Sequence, residues 1–226
     1  MQRRMDENHL NIAEVVELLH SLASSTSPFT FDVEKQRLFF TDDDDVPCEL
    51  TLPRVLPTID GRNMEEIREQ IEKSHQTYTI ILIQAGAAAM GYYEDRLLRQ
   101  HKVVKKYMVR KKQGKSQIKY LKSKGKSRLG SRIRLQNTVL FFEEINATLG
   151  AWDVSEKSEA ILLSVPINLK NLLFSSKIPP PFDKKDPRIK RIPMDVRVPT
   201  FKELKHVDWM VTRGTLRRGR DRDGGR

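Results

Sequence analysis

Residues 110 to 130, "RKKQGKSQIKYLKSKGKSRLG", set a glycine and a neutral amide inside a dense run of cations. Gly114 tolerates backbone angles that other residues resist, and without a side chain it lets the main chain approach a ligand closely. Ser116 is small. The Gln117 amide donates and accepts hydrogen bonds but cannot serve as a general base at neutral pH. It can orient a water molecule or donate to a developing oxyanion. The surrounding cations, Lys111, Lys112, Lys115, Lys119, Lys122, Lys124, Lys126, Arg128, Arg132 and Arg134, suit phosphate oxygens. The chemistry predicted is positioning and charge stabilisation in a centre wrapped in phosphates, with Gly114, Ser116 and Gln117 at the catalytic tip. No cofactor or metal is expected. The five histidines are scattered, and Asp42 to Asp45 read as a turn, because consecutive carboxylates do not converge on one ion.

The placement of charge supports this. From His101 to Arg134 the sequence holds 14 Lys or Arg and no Asp or Glu, and from Val211 onward it holds six Arg and two Asp. The rest carries 21 basic and 28 acidic residues, within a chain of net charge +11. An acidic body with one basic arm points to a polyanionic partner, nucleic acid being the commonest. The alternative is a solvated basic loop. One cysteine, Cys48, excludes an internal disulfide and makes a reducing cytoplasm the expectation. Acids interrupt the apolar stripe of the first 20 residues, so no signal peptide is expected, and no window is long enough to cross a membrane.

Other residues have competing readings. His101 opens the basic strand and can act as a general base, bind phosphate or simply pack. Tyr120 can stack on a base. Tyr107 continues the alternation of a strand and is expected in a core, as are Trp152 and Trp209.

The elements that must position the arm follow from periodicity. Residues 9 to 23 read as an amphipathic helix, "SPFTFDVEKQRLFFTDD" as a hairpin and "CELTLP" as a strand. Asn63, with Glu66 three residues on, predicts a capped helix to about His75. "TYTIILIQAG" is a β-branched apolar run typical of a strand covered on both faces. Its antiparallel neighbours follow, with bends at Gly86 and Gly91. After the basic loop a helix is expected from near Ser131. Then come the buried strand "EAILLSVPI", the short helix "NLKNLLFS", an edge strand at "IKRIPMDVRV", and a helix capped by Thr200 with Glu203. The Arg-rich tail from Gly214 reads as disordered. The fold class is α/β or α+β: a mixed β-sheet with flanking helices and a protruding basic loop. The expected organisation is an N-terminal region over residues 1–62, a catalytic domain over 63–212 with its loop at 110–131, and a tail over 213–226.

From the "TIILIQAGAAAMGYY" hairpin, through "HKVVKKYMVRKKQGKSQ" and "KGKSRLGSRIRLQNT", to the helix near Phe142, the sequence resembles a known family. It is the release-factor-like domain of the eukaryotic ribosome-quality-control tRNA endonucleases, which include the valosin-associated mitochondrial-stress factor and its ankyrin-repeat, zinc-finger animal relative. That domain is related to the catalytic domain of class I eukaryotic and archaeal peptide release factors. The resemblance puts the family's glycine on Gly114 and its catalytic glutamine on Gln117. Its Arg-Arg-Tyr-Asn-Glu helix start falls on residues 134–138, where only Arg134 and Asn137 match. The zinc finger, ankyrin repeats and valosin-binding segment have no counterpart, so the resemblance implies a free-standing, bacterial version. It also implies a fold like the release-factor catalytic domain, and as partners the large ribosomal subunit and peptidyl-tRNA. The reaction is either hydrolysis of the peptidyl ester or cleavage near the tRNA 3′ end. The alternative function is a non-catalytic ribosome- or RNA-binding module using the same arm.

Overall fold

The computed structural model describes residues 6–24, 28–108 and 126–219, with side chains from Arg132 onward in the last segment. In chain order the elements begin with β1 (Asp6–Leu10), α1 (Ile12–Ser24), β2 (Phe29–Asp32), β3 (Arg37–Thr41), β4 (Pro47–Thr51) and α2 (Met64–Lys73). They continue with β5 (Tyr78–Gln84), β6 (Ala87–Glu94), β7 (Leu97–Lys105), α3 (Lys126–Ala151) and α4 (Val154–Lys157). The last are β8 (Ala160–Ser164), α5 (Ile167–Phe174), β9 (Ile189–Arg191), α6 (Phe201–Val211) and β10 (Gly214–Arg218). They form a mixed α+β fold with two five-stranded sheets. The chain divides into two units: Met1–Thr77, Glu94–Arg96 and Val207–Arg226 in the first, Tyr78–Tyr93 and Leu97–His206 in the second.

The first unit holds an antiparallel sheet in the order β1-β10-β4-β3-β2. Strand alternation sorts its side chains into two faces. One carries Leu38 opposite Leu50, with Phe40 opposite Cys48, all buried. Helix α1 lies on this face and buries Ile12, Val15 and Leu19. A Cβ on Gly214 would come within 2.9 Å of Val15 Cγ2, so the glycine admits the helix. Across the other face runs the row Glu7, Arg217, Glu49 and Phe39. Arg217 bridges Glu7 at 3.0 Å and Glu49 at 3.7 Å, and Arg37 meets Glu49 at 3.0 Å.

Strand β10 corrects the expectation of a disordered tail from Gly214. Its composition resembles a solvated segment, yet every cation on it has an acid to meet: Arg218 pairs with Asp42 and, at 2.6 Å, with Asp44. The acids from Asp42 onward do form a turn, in which Asp42 Oδ1 accepts from the amides of Asp44 and Val46. Both helices are capped. Asn63 accepts from the Glu66 amide at 2.9 Å, while Glu66 reaches back to the Arg62 amide rather than to that of Asn63. At α1 the exchange is reciprocal between Asn11 and Glu14, a signature the sequence reading passed over.

In the second unit, β5 is buried from Tyr78 to Ile83. It pairs antiparallel with β6 and parallel with β8, giving the order β7-β6-β5-β8-β9. Helix α3 packs Phe141, Phe142, Ile145 and Leu149, spaced by helical turns, against Ile81, Ile83, Ile161 and Leu163. Trp152 joins this core as expected. The Asn146 amide ties α3 to the α5 region by donating to the carbonyls of Leu173 at 2.9 Å and Ile178 at 2.7 Å. Gly91 makes a close approach rather than a bend: a Cβ there would lie 2.9 Å from the Tyr93 ring and 3.0 Å from Leu204. The segment after β8 forms an edge strand of only three residues, Ile189–Arg191, stopping short of Pro193.

A chain ending at Arg213 lacks the strand between β1 and β4. Amides of β4, Cys48 to Leu50, are expected to lose their hydrogen-exchange protection in that chain, while those of β5 keep theirs. Unchanged β4 protection would show that β10 is dispensable.

Candidate nucleic-acid interface

The basic arm leaves from β7 and comes back on α3, and both roots are held. Beyond Lys105 the ladder ends, and the Lys106 amide donates to the Gly86 carbonyl at 2.9 Å. Gly86 has φ +82, and a Cβ on it would sit 2.5 Å from the Lys106 carbonyl oxygen. Only glycine suits both the angle and the approach. One residue further, the Tyr107 carbonyl accepts from the Asn137 side-chain amide at 3.0 Å. That bond joins the departing chain to the returning helix. Met108 packs against the core formed by β5, β6 and α3.

Helix α3 begins at Lys126, five residues before the expected start near Ser131. Lys126 and Arg128 therefore belong to the helix. Arg132 is exposed and Arg134 is half-buried. Gly114, Ser116, Gln117, Tyr120, Lys111, Lys112, Lys115, Lys119, Lys122 and Lys124 lie outside the described residues.

An acid absent from the arm in sequence meets it in space. Glu144, on α3, receives Lys106 Nζ at 2.9 Å and Lys102 Nζ at 3.1 Å, and Lys102 also donates to Thr148 Oγ1 at 3.2 Å. The Lys106 hydrogen bond, reinforced by Lys102, holds the Glu144 carboxyl below its usual range against the opposing effect of burial. Two of the cations counted in the arm thus share one carboxylate at its base, which offsets one unit of their charge. Among the described residues, Lys105, Arg132 and Arg134 have no carboxylate within ion-pair distance.

Two aromatic expectations are corrected. Tyr107 is 49% exposed, because the strand stops before it and the alternation no longer applies. Trp209 is 44% exposed; the apolar stripe of α6 is carried by its neighbours Val207 and Val211, both buried. His101 packs its ring on Phe201, with centroids 4.5 Å apart, and Lys205 lies over the same phenyl ring at 5.0 Å. Sequence reasoning missed Glu144. Its only signal was the Glu143-Glu144 pair directly after the buried Phe141-Phe142 turn. Among the described residues no three His, Cys, Asp or Glu side chains gather as a metal site would require. No described helix is long and apolar enough to cross a membrane.

A mixed sheet thus feeds the basic segment from β7, and the chain returns on the long packed helix α3. Residues 78–217 match the Bacteroidetes VLRF1 release factor family, and the chain belongs to it. The chain is 30% identical over 137 residues to the tRNA endonuclease ANKZF1 of Bos taurus and 29% identical over 132 residues to that of Homo sapiens. Those stretches cover 59% and 57% of this chain but 19% and 18% of the relatives, so the chain spans about a fifth of their length. The solved Vms1 mitochondrial localization core is similar over 87% of this chain and 79% of its own, with 14% identity and a TM-score of 0.49.

Glu144→Gln removes the charge that pairs with Lys102 and Lys106. A carboxyl depressed in the folded state stabilises at neutral pH, and that stability fades as pH falls through the carboxylate range. Urea unfolding is expected to show the variant less stable by about 1 kcal/mol at neutral pH, with the difference vanishing in acid. Gly86→Val is expected to cost more, about 2 kcal/mol or above, through strain and clash with the Lys106 carbonyl.

Proposed function

We propose that this chain frees nascent polypeptides from stalled large ribosomal subunits by cleaving peptidyl-tRNA, with Gly114, Ser116 and Gln117 acting in the catalytic centre. The observation that carries the reading is the anchoring of the acid-free segment. Its two roots meet at the bond between Asn137 and the Tyr107 carbonyl, inside the region shared with a release factor family. A segment tethered at one place can deliver its middle to a site while its cations engage phosphates. Lys111, Lys112, Lys115, Lys119, Lys122, Lys124, Lys126, Arg128, Arg132 and Arg134 take that role. Their contacts carry no sequence information and fix register, which suits a tip that must meet one bond. The reading assigns the work to ribosomes of the cytoplasm.

Two reactions fit a neutral amide among phosphates. In one, water attacks the ester carbonyl joining peptide to the terminal ribose, and the Gln117 amide positions the water or donates to the oxyanion. In the other, the 2′-hydroxyl of a nucleotide near the tRNA 3′ end attacks the adjacent phosphate. The 5′-oxygen of the next nucleotide leaves, and a cyclic phosphate remains. The naming of the curated relatives as tRNA endonucleases favours the second, and Arg134, matched to the family's helix start, suits a pentavalent phosphate. In either case one well-placed donor contributes about 3 kcal/mol, roughly a hundredfold in rate.

Large subunits stalled with labelled peptidyl-tRNA test this directly. The expected product is a tRNA shortened at its 3′ end with the peptide still on the released fragment; an intact 3′ end with free peptide indicates ester hydrolysis instead. Gln117→Ala is expected to slow cleavage about a hundredfold without loss of binding. A variant as active as the parent removes Gln117 from the chemistry and leaves a binding module.

A further inference from the structure

Trp209 lies on the last turn of α6, with 44% of its surface exposed. The Arg213 guanidinium carbon sits 4.4 Å from the ring centre. One guanidinium N–H of Arg213 donates to the Trp209 carbonyl at 3.0 Å, so the cation is held in place over the indole. His9, on β1, meets the ring edge-on, with centroids 5.6 Å apart and planes at 73°. Among the described residues no carboxylate neutralises Arg213. By contrast, Arg217 and Arg218 on β10 are both spent in ion pairs. The register places His9 opposite Thr215, on the sheet face that α1 leaves uncovered.

An exposed indole, a planar cation fixed on it and an adjacent imidazole are the groups that stack on unpaired bases. Base–aromatic stacking is tolerant of sequence, and a guanidinium plane can continue the stack while its remaining N–H groups reach a phosphate or a base edge. We propose that Trp209, Arg213 and His9 form a stacking site for an unpaired nucleotide of RNA, carried by the first unit and built from none of the residues of the basic arm. It goes beyond the cleavage reading and does not require it, because an oligonucleotide alone is sufficient as ligand.

The chain has two tryptophans, and Trp152 is 9% exposed, so quenching by a ligand reports on Trp209. Titrating the full chain with the single-stranded RNA (CA)5 is expected to quench its emission saturably. Trp209→Leu is expected to abolish the quench and, by fluorescence anisotropy of dye-labelled (CA)5, to raise Kd about tenfold, without changing the slope of affinity against salt, since stacking releases no counterions. Arg213→Lys keeps the charge but loses the plane, and is expected to raise Kd severalfold. Gln117→Ala is expected to quench like the parent, which separates failure of this site from failure of the cleavage reading. Wild-type affinity in Trp209→Leu overturns the proposal. So does the absence of any quench by RNA, or quenching by a poly-glutamate peptide in its place.

Discussion

The hydrogen bond from the Lys106 amide to the Gly86 carbonyl sets where the sheet ends and the arm begins. Gly86 closes the turn between β5 and β6, so the departure point is tied to the most buried strand of the second unit. That strand supplies the rigidity. Ile80, Ile81, Leu82 and Ile83 are fully buried, and each contributes about 1.5–3 kcal/mol through burial. The partly exposed pairs of Glu144 with two lysines each contribute at most about 1 kcal/mol. Apolar packing therefore fixes the platform, while Asn137 and Glu144 orient what leaves it.

The electrostatics follow from the same geometry. A segment free of acids along the sequence is not free of them in space. Glu144 takes up Lys102 and Lys106, and among the described residues Lys105, Arg132 and Arg134 have no carboxylate within ion-pair distance. Positive charge is thus removed where it would only crowd the sheet and kept beside the segment proposed to meet RNA. Asn137, one of two positions matching the family's helix start, has a visible duty in holding the departing chain.

Much of the second unit was legible because its signals are local. An unbroken apolar run announced β5, and Asn63 and Thr200 announced their helices through bonds three residues long. What escaped depends on distant partners. Strand β10 looks like a solvated tail until Glu7, Asp42, Asp44 and Glu49 are placed beside its arginines. Tyr107 followed an alternation that stops at Lys105, because the next amide is drawn to Gly86. Trp209 sat among apolar neighbours in the sequence, but its own side of α6 faces outward. The arm's chemistry was read from residue types alone, since its tip lies beyond what the structure describes.

The first unit is assembled from residues on both sides of the second in the sequence. Strand β10 is central in its sheet, bonded to β1 on one side and β4 on the other. During synthesis β1 and β4 must therefore wait, edges bare, until the ribosome has made another 160 residues or so. The second unit needs no such delay, since its last residue, His206, precedes β10.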